Sequence, residues 1–173
     1  MLLRVCFVSA LLITGAQARP ALTPAGAQGL CQNYSWACSG SSQGSITSPA
    51  DMLKVAKEVN QQVNYEIRPI SDDRQYGRSE SWRLPVSGEG DCEDYALLKK
   101  KRLIEKGIAP NRVRLAQVIK RGVVSHVVLL LNVGGQDYVL DNLTSSMRPR
   151  QSTQYVVLKT QNARNPTQWV TDF

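Results

Sequence analysis

The run VVLLLNV, from Val127 to Val133, constrains the fold more than any other part of the chain. Seven residues dominated by Val and Leu are too few for a membrane-spanning helix, which needs roughly 18–20, and they read instead as a buried strand. Gly134, Gly135 and Gln136 follow as a hairpin connection, and residues 137–142 form the partner strand. Residues 112–120 and 154–159 are two further strand candidates, so the second half of the chain predicts an antiparallel sheet of about four strands, with the second one opening at His126. Helical patterns come first and strands after, which is the order of an α+β domain.

The first helical pattern starts at Ser48, Pro49 and Asp51, an N-cap, an N1 proline and an early acid. Met52, Val55, Ala56, Val59 and Val63 follow at helical spacing and predict a helix to about residue 64. Residues 66–90 are polar and hold Gly77, Gly88, Gly90, Pro69 and Pro85, which reads as a long ordered loop of the kind that often carries function. The loop delivers the chain to a second helix beginning at Cys92. Ala96, Leu97, Leu103 and Ile104 mark its apolar side, Glu93 and Asp94 lie in its first turn, and Lys99 to Arg102 lie further along, before a stop at Gly107. Acid at the start and base towards the end complement the helix dipole.

Composition sets the remaining bounds. With 173 residues, 42% of them hydrophobic, the chain reads as one globular domain. Arg4, the apolar run Val5 to Ile13 and the small residues up to Ala18 form a cleavable export leader, residues 1–18, which leaves a single domain at 19–173 in a periplasmic or secreted setting. Loss of Cys6 with the leader leaves Cys31, Cys38 and Cys92. In an oxidising compartment Cys31 and Cys38 could close a short loop, which would leave Cys92 as the free thiol. The net charge of +7 suits an acidic surface or protein partner as well as it suits plain solubility. The basic run Lys99–Arg102 has no interleaved aromatic residues and carries no sign of nucleic-acid binding.

Chemistry converges on three residues. A thiol is a nucleophile as thiolate, and a helix N-terminus together with an imidazole favours that form. Cys92 has the first feature, and the single histidine, His126, opens the most apolar strand. Counting outward from the hairpin, Asp141 on the partner strand falls opposite His126 or nearly so, where a carboxylate would fix the imidazole tautomer. Cys92, His126 and Asp141 could thus act as nucleophile, base and orienter. Each also has a structural alternative: a packed small hydrophobe, a hydrogen-bonded core histidine, and a strand-end turn with Asn142.

The string GEGDCEDYALLK from Gly88 to Lys99, SHVVLLL around His126 and YVLDNL around Asp141 resemble the bacterial transglutaminase-like cysteine proteinases. Further matches are VNYEI from Val63, DDRQYG ending at Gly77, and Trp82 with Pro85. The resemblance implies a papain-like fold, with the cysteine helix packed on the sheet that carries His126 and Asp141. It implies a Cys92–His126–Asp141 triad, with the Cys92 N–H as one oxyanion donor and Trp82 as a candidate for the second. For LapG-type members it implies calcium held by the acids flanking the nucleophile, here Asp91, Glu93 and Asp94, a surface adhesin as substrate, and an inner-membrane receptor as regulator.

Two other readings stay open at this point. An amine in place of water at the acyl-enzyme would make the chain a transglutaminase or an amidase of cell-envelope peptides. A chain that bound calcium without catalysis would be a docking module for an acidic partner. The calcium reading has its own structural alternative: Asp91 as a simple N-cap, with Glu93 and Asp94 as first-turn acids that favour the helix dipole.

Overall fold

The computed structural model describes residues 18–120 and 123–171. The export leader expected at residues 1–18 lies, apart from Ala18, outside the described residues.

A long helix, α2 (Pro49–Glu66), follows a short α1 (Leu30–Asn33). The Ser48 side chain accepts a hydrogen bond from the Asp51 N–H at 3.4 Å, and Pro49 fills the first turn, as the capping pattern predicts. Met52, Ala56, Val59 and Val63 are buried on one face, with Val55 at its margin. The segment 66–90 is more than a loop. It contains α3 (Asp72–Tyr76) and two two-residue strands, β2 (Arg68–Pro69) and β3 (Glu89–Gly90), which pair in parallel. Helix α4 (Cys92–Glu105) then begins at the cysteine and stops before Gly107, whose φ of +97° is open to glycine at little cost.

The main sheet holds seven strands, where the sequence pattern suggests about four. The four expected ones are β4 (Val113–Lys120), β5 (Val123–Val133), β6 (Gln136–Leu140) and β8 (Val156–Gln161). The additional ones are β1 (Arg19–Ala21), β7 (Arg148–Pro149) and β9 (Trp169–Thr171), giving the order β1-β9-β8-β4-β5-β6-β7 with every pair antiparallel. Strands of two or three residues are too short to show an alternating pattern, so pairing alone defines them.

The apolar run of β5 is explained by cover on both faces. Leu115, Leu129, Leu131 and Leu140 join the core beneath α2 and α4, while Ala116, Val118, Val128, Leu130, Val139 and Val157 form a second cluster. Cys31 and Cys38 are bridged, with Cα atoms 5.4 Å apart, and Cys92 is the free cysteine among the described residues.

The basic run on α4 departs from expectation, because Lys99 and Lys100 are fully buried. The Lys100 ammonium donates to Gln161 Oε1 at 2.6 Å, which also accepts the Leu115 N–H at 3.2 Å. Gln161 Nε2 in turn donates to the carbonyls of Ala37 and Pro166, both at 3.1 Å. One side chain therefore ties α4, β4 and the disulfide loop together. Burial pulls the Lys100 ammonium down to about 7, and nearby Arg114 adds to the effect. A Gln161→Leu variant would strand that ammonium and two carbonyls. It is expected to lose about 2–3 kcal/mol of stability, read as a lower urea midpoint at unchanged slope.

Candidate active site

Cys92 is the first residue of α4, so its side chain sits at the end where unpaired N–H groups collect. The preceding Gly90 is required by space: a Cβ there would stand 2.7 Å from both Cβ and Oδ2 of Asp94. Asp91 occupies the N-cap position in extended conformation, but its side chain does not cap the helix. The Cys92 thiol donates to Glu93 Oε2 at 3.2 Å and receives the backbone N–H of Val127, the residue after His126. Burial pushes the thiol well above its ordinary pKa, the Glu93 charge and hydrogen bond push it further, and the Val127 N–H opposes them. In this arrangement the sulfur carries its proton.

His126 and Asp141 form a buried pair, 5% and 2% exposed, with Nε2 2.8 Å from Asp141 Oδ1. The β5–β6 ladder ends at Leu129 opposite Leu140, so Asp141 is the first residue beyond it and reaches His126 diagonally. The carboxylate also accepts the Leu143 N–H at 3.0 Å and the Tyr155 hydroxyl. Burial alone would raise the Asp141 carboxyl, but the bonds from His126, Tyr155 and Leu143 outweigh it and hold it below its ordinary value. The Tyr155 ring lies 5.9 Å from the imidazole, centre to centre. With Nε2 engaged by the carboxylate, Nδ1 is the nitrogen left to exchange a proton with a thiol.

Helix α2 fixes the far side of this pair. Asn64 Nδ2 donates to the Asp141 carbonyl at 2.8 Å and to the Thr144 carbonyl at 3.1 Å, and Asn60 Nδ2 donates to the latter at 3.3 Å. Neither asparagine nor Tyr155 stands out in the sequence, because each acts through a partner more than ten residues away with no periodic signal.

Acidic side chains crowd the other side of Cys92. Asp72, Asp91 and Asp94 each offer a carboxylate oxygen within 4.8 Å of the others. Asp91 Oδ2 accepts the Asp72 N–H at 3.3 Å, and Asp94 Oδ1 accepts the Arg83 N–H at 2.9 Å. Among the described residues, both oxygens of Asp72, Asp91 Oδ1 and Asp94 Oδ2 are buried without a hydrogen-bond partner. Burial, with the Asp91 charge adding to it, lifts the Asp72 carboxyl to about 6 and the Asp94 carboxyl to about 8. Glu93 rises to about 9, again through burial first and Asp91 second. Converging hard oxygens, buried and otherwise unsatisfied, fit a cation of the calcium type.

Of the expected metal set, Asp91 and Asp94 come together here, whereas Glu93 turns its carboxylate to the cysteine sulfur. Asp72 joins from the start of α3, inside the DDRQYG stretch that carries part of the family resemblance. Trp82, the candidate oxyanion donor, is 4% exposed, and its indole N–H has no partner among the described residues.

Solved structures with this fold include LapG from Legionella pneumophila. Its calcium-bound form aligns with a TM-score of 0.58 at 22% identity, covering 68% of each chain. The EGTA-treated form gives 0.59 at 20% identity, over 89% of this chain and 88% of that one, and another LapG structure gives 0.54 at 21%, over 79% and 80%. No curated protein matches the sequence. The family model for bacterial transglutaminase-like cysteine proteinases (BTLCP) matches residues 17–172, nearly the whole chain, and the protein therefore belongs to that family of cysteine peptidases.

Proposed function

We propose that this peptidase is an exported, calcium-dependent endopeptidase that cleaves a protein substrate with Cys92 as nucleophile, His126 as base and acid, and Asp141 as orienter. The observation that carries the reading is the buried His126–Asp141 pair, one residue along the strand from the Val127 N–H that meets the Cys92 sulfur. His126 Nδ1 takes the thiol proton, and the sulfur attacks the scissile carbonyl carbon. The resulting oxyanion is met by the Cys92 N–H. The imidazolium returns its proton to the leaving amine, leaving a thioester. Water, deprotonated by His126, then releases the acid product and the thiol.

Asp72, Asp91 and Asp94 would hold the calcium ion, whose positive charge offsets the carboxylates that otherwise keep the neighbouring thiol protonated. Glu93, from the expected set, would complete the ligands on leaving the sulfur. Export is supported by the leader pattern and by the Cys31–Cys38 bridge, which suits an oxidising compartment. The sequence resemblance extends the reading to a periplasmic enzyme acting on a surface adhesin under an inner-membrane receptor.

The decisive experiment follows iodoacetamide alkylation of Cys92 against pH. With calcium, wild type is expected to react well below the ordinary thiol pKa of about 8.5. Chelator or His126→Ala should slow the reaction at neutral pH at least tenfold, on the order of a lost base. A rate indifferent to both would refute the assignment. Tyr155→Phe removes one bond to Asp141 while leaving the carboxylate, and a roughly tenfold slower alkylation is expected, a smaller loss than in Asp141→Ala.

A stability test reads the metal site independently. Asp72 and Asp94 have folded-state pKa values of about 6 and about 8, above the unfolded value of about 3.9. The folded protein thus holds protons that the unfolded chain releases, and in chelator stability should fall as pH rises from about 4 to about 8. Calcium should reverse that fall, raising Tm at pH 8 by on the order of 5 °C, and Asp72→Asn should blunt both effects.

A further inference from the structure

A cleft beside the His126–Asp141 pair is left unused by the proposed chemistry. It encloses about 330 Å³ between the end of β4, the loop after Asp141 and the segment leading into β8. That is room for about ten waters, hence for a side chain with part of its hydration. Asp141 and Tyr155 form one wall, so the cleft shares residues with the catalytic pair.

Its charge is one-sided. Lys120 at the end of β4 and Arg148 on β7 both line it, and neither forms an ion pair with any described residue. Asp141 is the only carboxylate in the lining among the described residues, and its oxygens are already taken by His126, Leu143 and Tyr155. It cannot neutralise the two cations. The Lys120 ammonium lies 5.9 Å from the centre of the Tyr155 ring, which sets this charge over the wall shared with the catalytic pair.

We propose that this cleft is an anionic subsite, which takes an Asp or Glu side chain of the substrate polypeptide between Lys120 and Arg148. The inference rests on the endopeptidase reading above and adds the substrate chemistry to it. In the proposed triad one imidazole separates Asp141 from the thiol, and an extended chain advances about 3.3 Å per residue, so the acidic residue falls about two to four positions from the scissile bond. Two cations lining one concave wall focus the potential more than the same charges on an open surface.

The test has a binding arm and a cleavage arm, both with calcium and a random decapeptide library. In the first, the library is passed over immobilised Cys92→Ala protein at low salt, and retained peptides are sequenced by mass spectrometry. Asp and Glu should be enriched about three- to tenfold over Asn and Gln, the range of two partly exposed ion pairs, and the enrichment should shrink in high salt. Adding Lys120→Glu and Arg148→Glu should turn the preference to Lys and Arg, while Lys120→Gln with Arg148→Gln should abolish it. Equal retention of acidic and amide peptides, or a preference unchanged by charge reversal, would overturn the subsite.

In the second arm, wild type digests the same library, and cuts should carry an acidic residue at one fixed position near the scissile bond. Cutting with no acidic position would overturn the subsite and leave the endopeptidase standing. Acidic retention in the first arm with no cutting above the Cys92→Ala blank would overturn the endopeptidase reading and leave the anion-binding cleft standing.

Discussion

Helix α4 lies along β5, and the position of every candidate catalytic group follows from that contact. Ala96, Leu97 and Leu103 of the helix share one core with Leu115, Leu129 and Leu131 of the sheet, all of them buried. Cys92 is the first residue of the helix, and His126 stands near the start of the strand, so apolar packing several residues away fixes their relation. The β5–β6 hairpin then brings in Asp141 without a further long-range contact, and Asn64 of α2 holds that residue's backbone from behind. A cavity opened under this contact would therefore disturb catalysis as well as stability, because the two elements share no covalent tether shorter than the turn at Gly107 and the whole of β4.

The same contact creates an electrostatic conflict. The helix N-terminus favours a thiolate, yet burial favours a thiol, and Glu93 and then Asp91 beside it add to that effect. Among the described residues, three aspartates with buried, unpartnered oxygens in the same place are costly on their own, and Asp94, lifted to about 8 chiefly by burial, holds a proton at neutral pH. A bound cation would relieve both problems together: Asp94 would ionise, and the field at the sulfur would fall. Glu93 is the element that links them, because its carboxylate lies on the sulfur in this structure while its backbone neighbours belong to the cluster.

The parts of the site carried by local pattern were legible in the sequence. Gly90 and Asp91 ahead of an apolar-periodic run located the helix start and thus Cys92, and a single histidine on a strand closed by Gly134 and Gly135 gave the pairing with Asp141 to within one diagonal. Asp72 was hidden because it reaches Asp91 across 19 residues of irregular chain. Strands β1, β7 and β9 were hidden because two or three residues hold no alternation. The burial of Lys99 and Lys100 had a visible signal that their charge concealed. Both fall between Ala96 and Leu103 on the i, i+3, i+4, i+7 stripe that faces the core.

Those two lysines complete the charge logic of α4. Seven residues beyond Cys92, or about 10 Å along the axis, the Lys99 ammonium is buried, 5.7 Å from the Tyr95 ring and without a hydrogen-bond acceptor among the described residues. Burial pulls it down to about 7, and the charge of Asp141 is what opposes that loss. The attraction is mutual, so a protonated Lys99 favours the ionised Asp141 that His126 requires. One helix thus presents carboxylates for a cation at its start, the thiol at its first residue and a buried positive charge two turns further on. Moving α4 by one residue in either direction would break all three relations at once, because a one-residue shift turns the helix by about 100°.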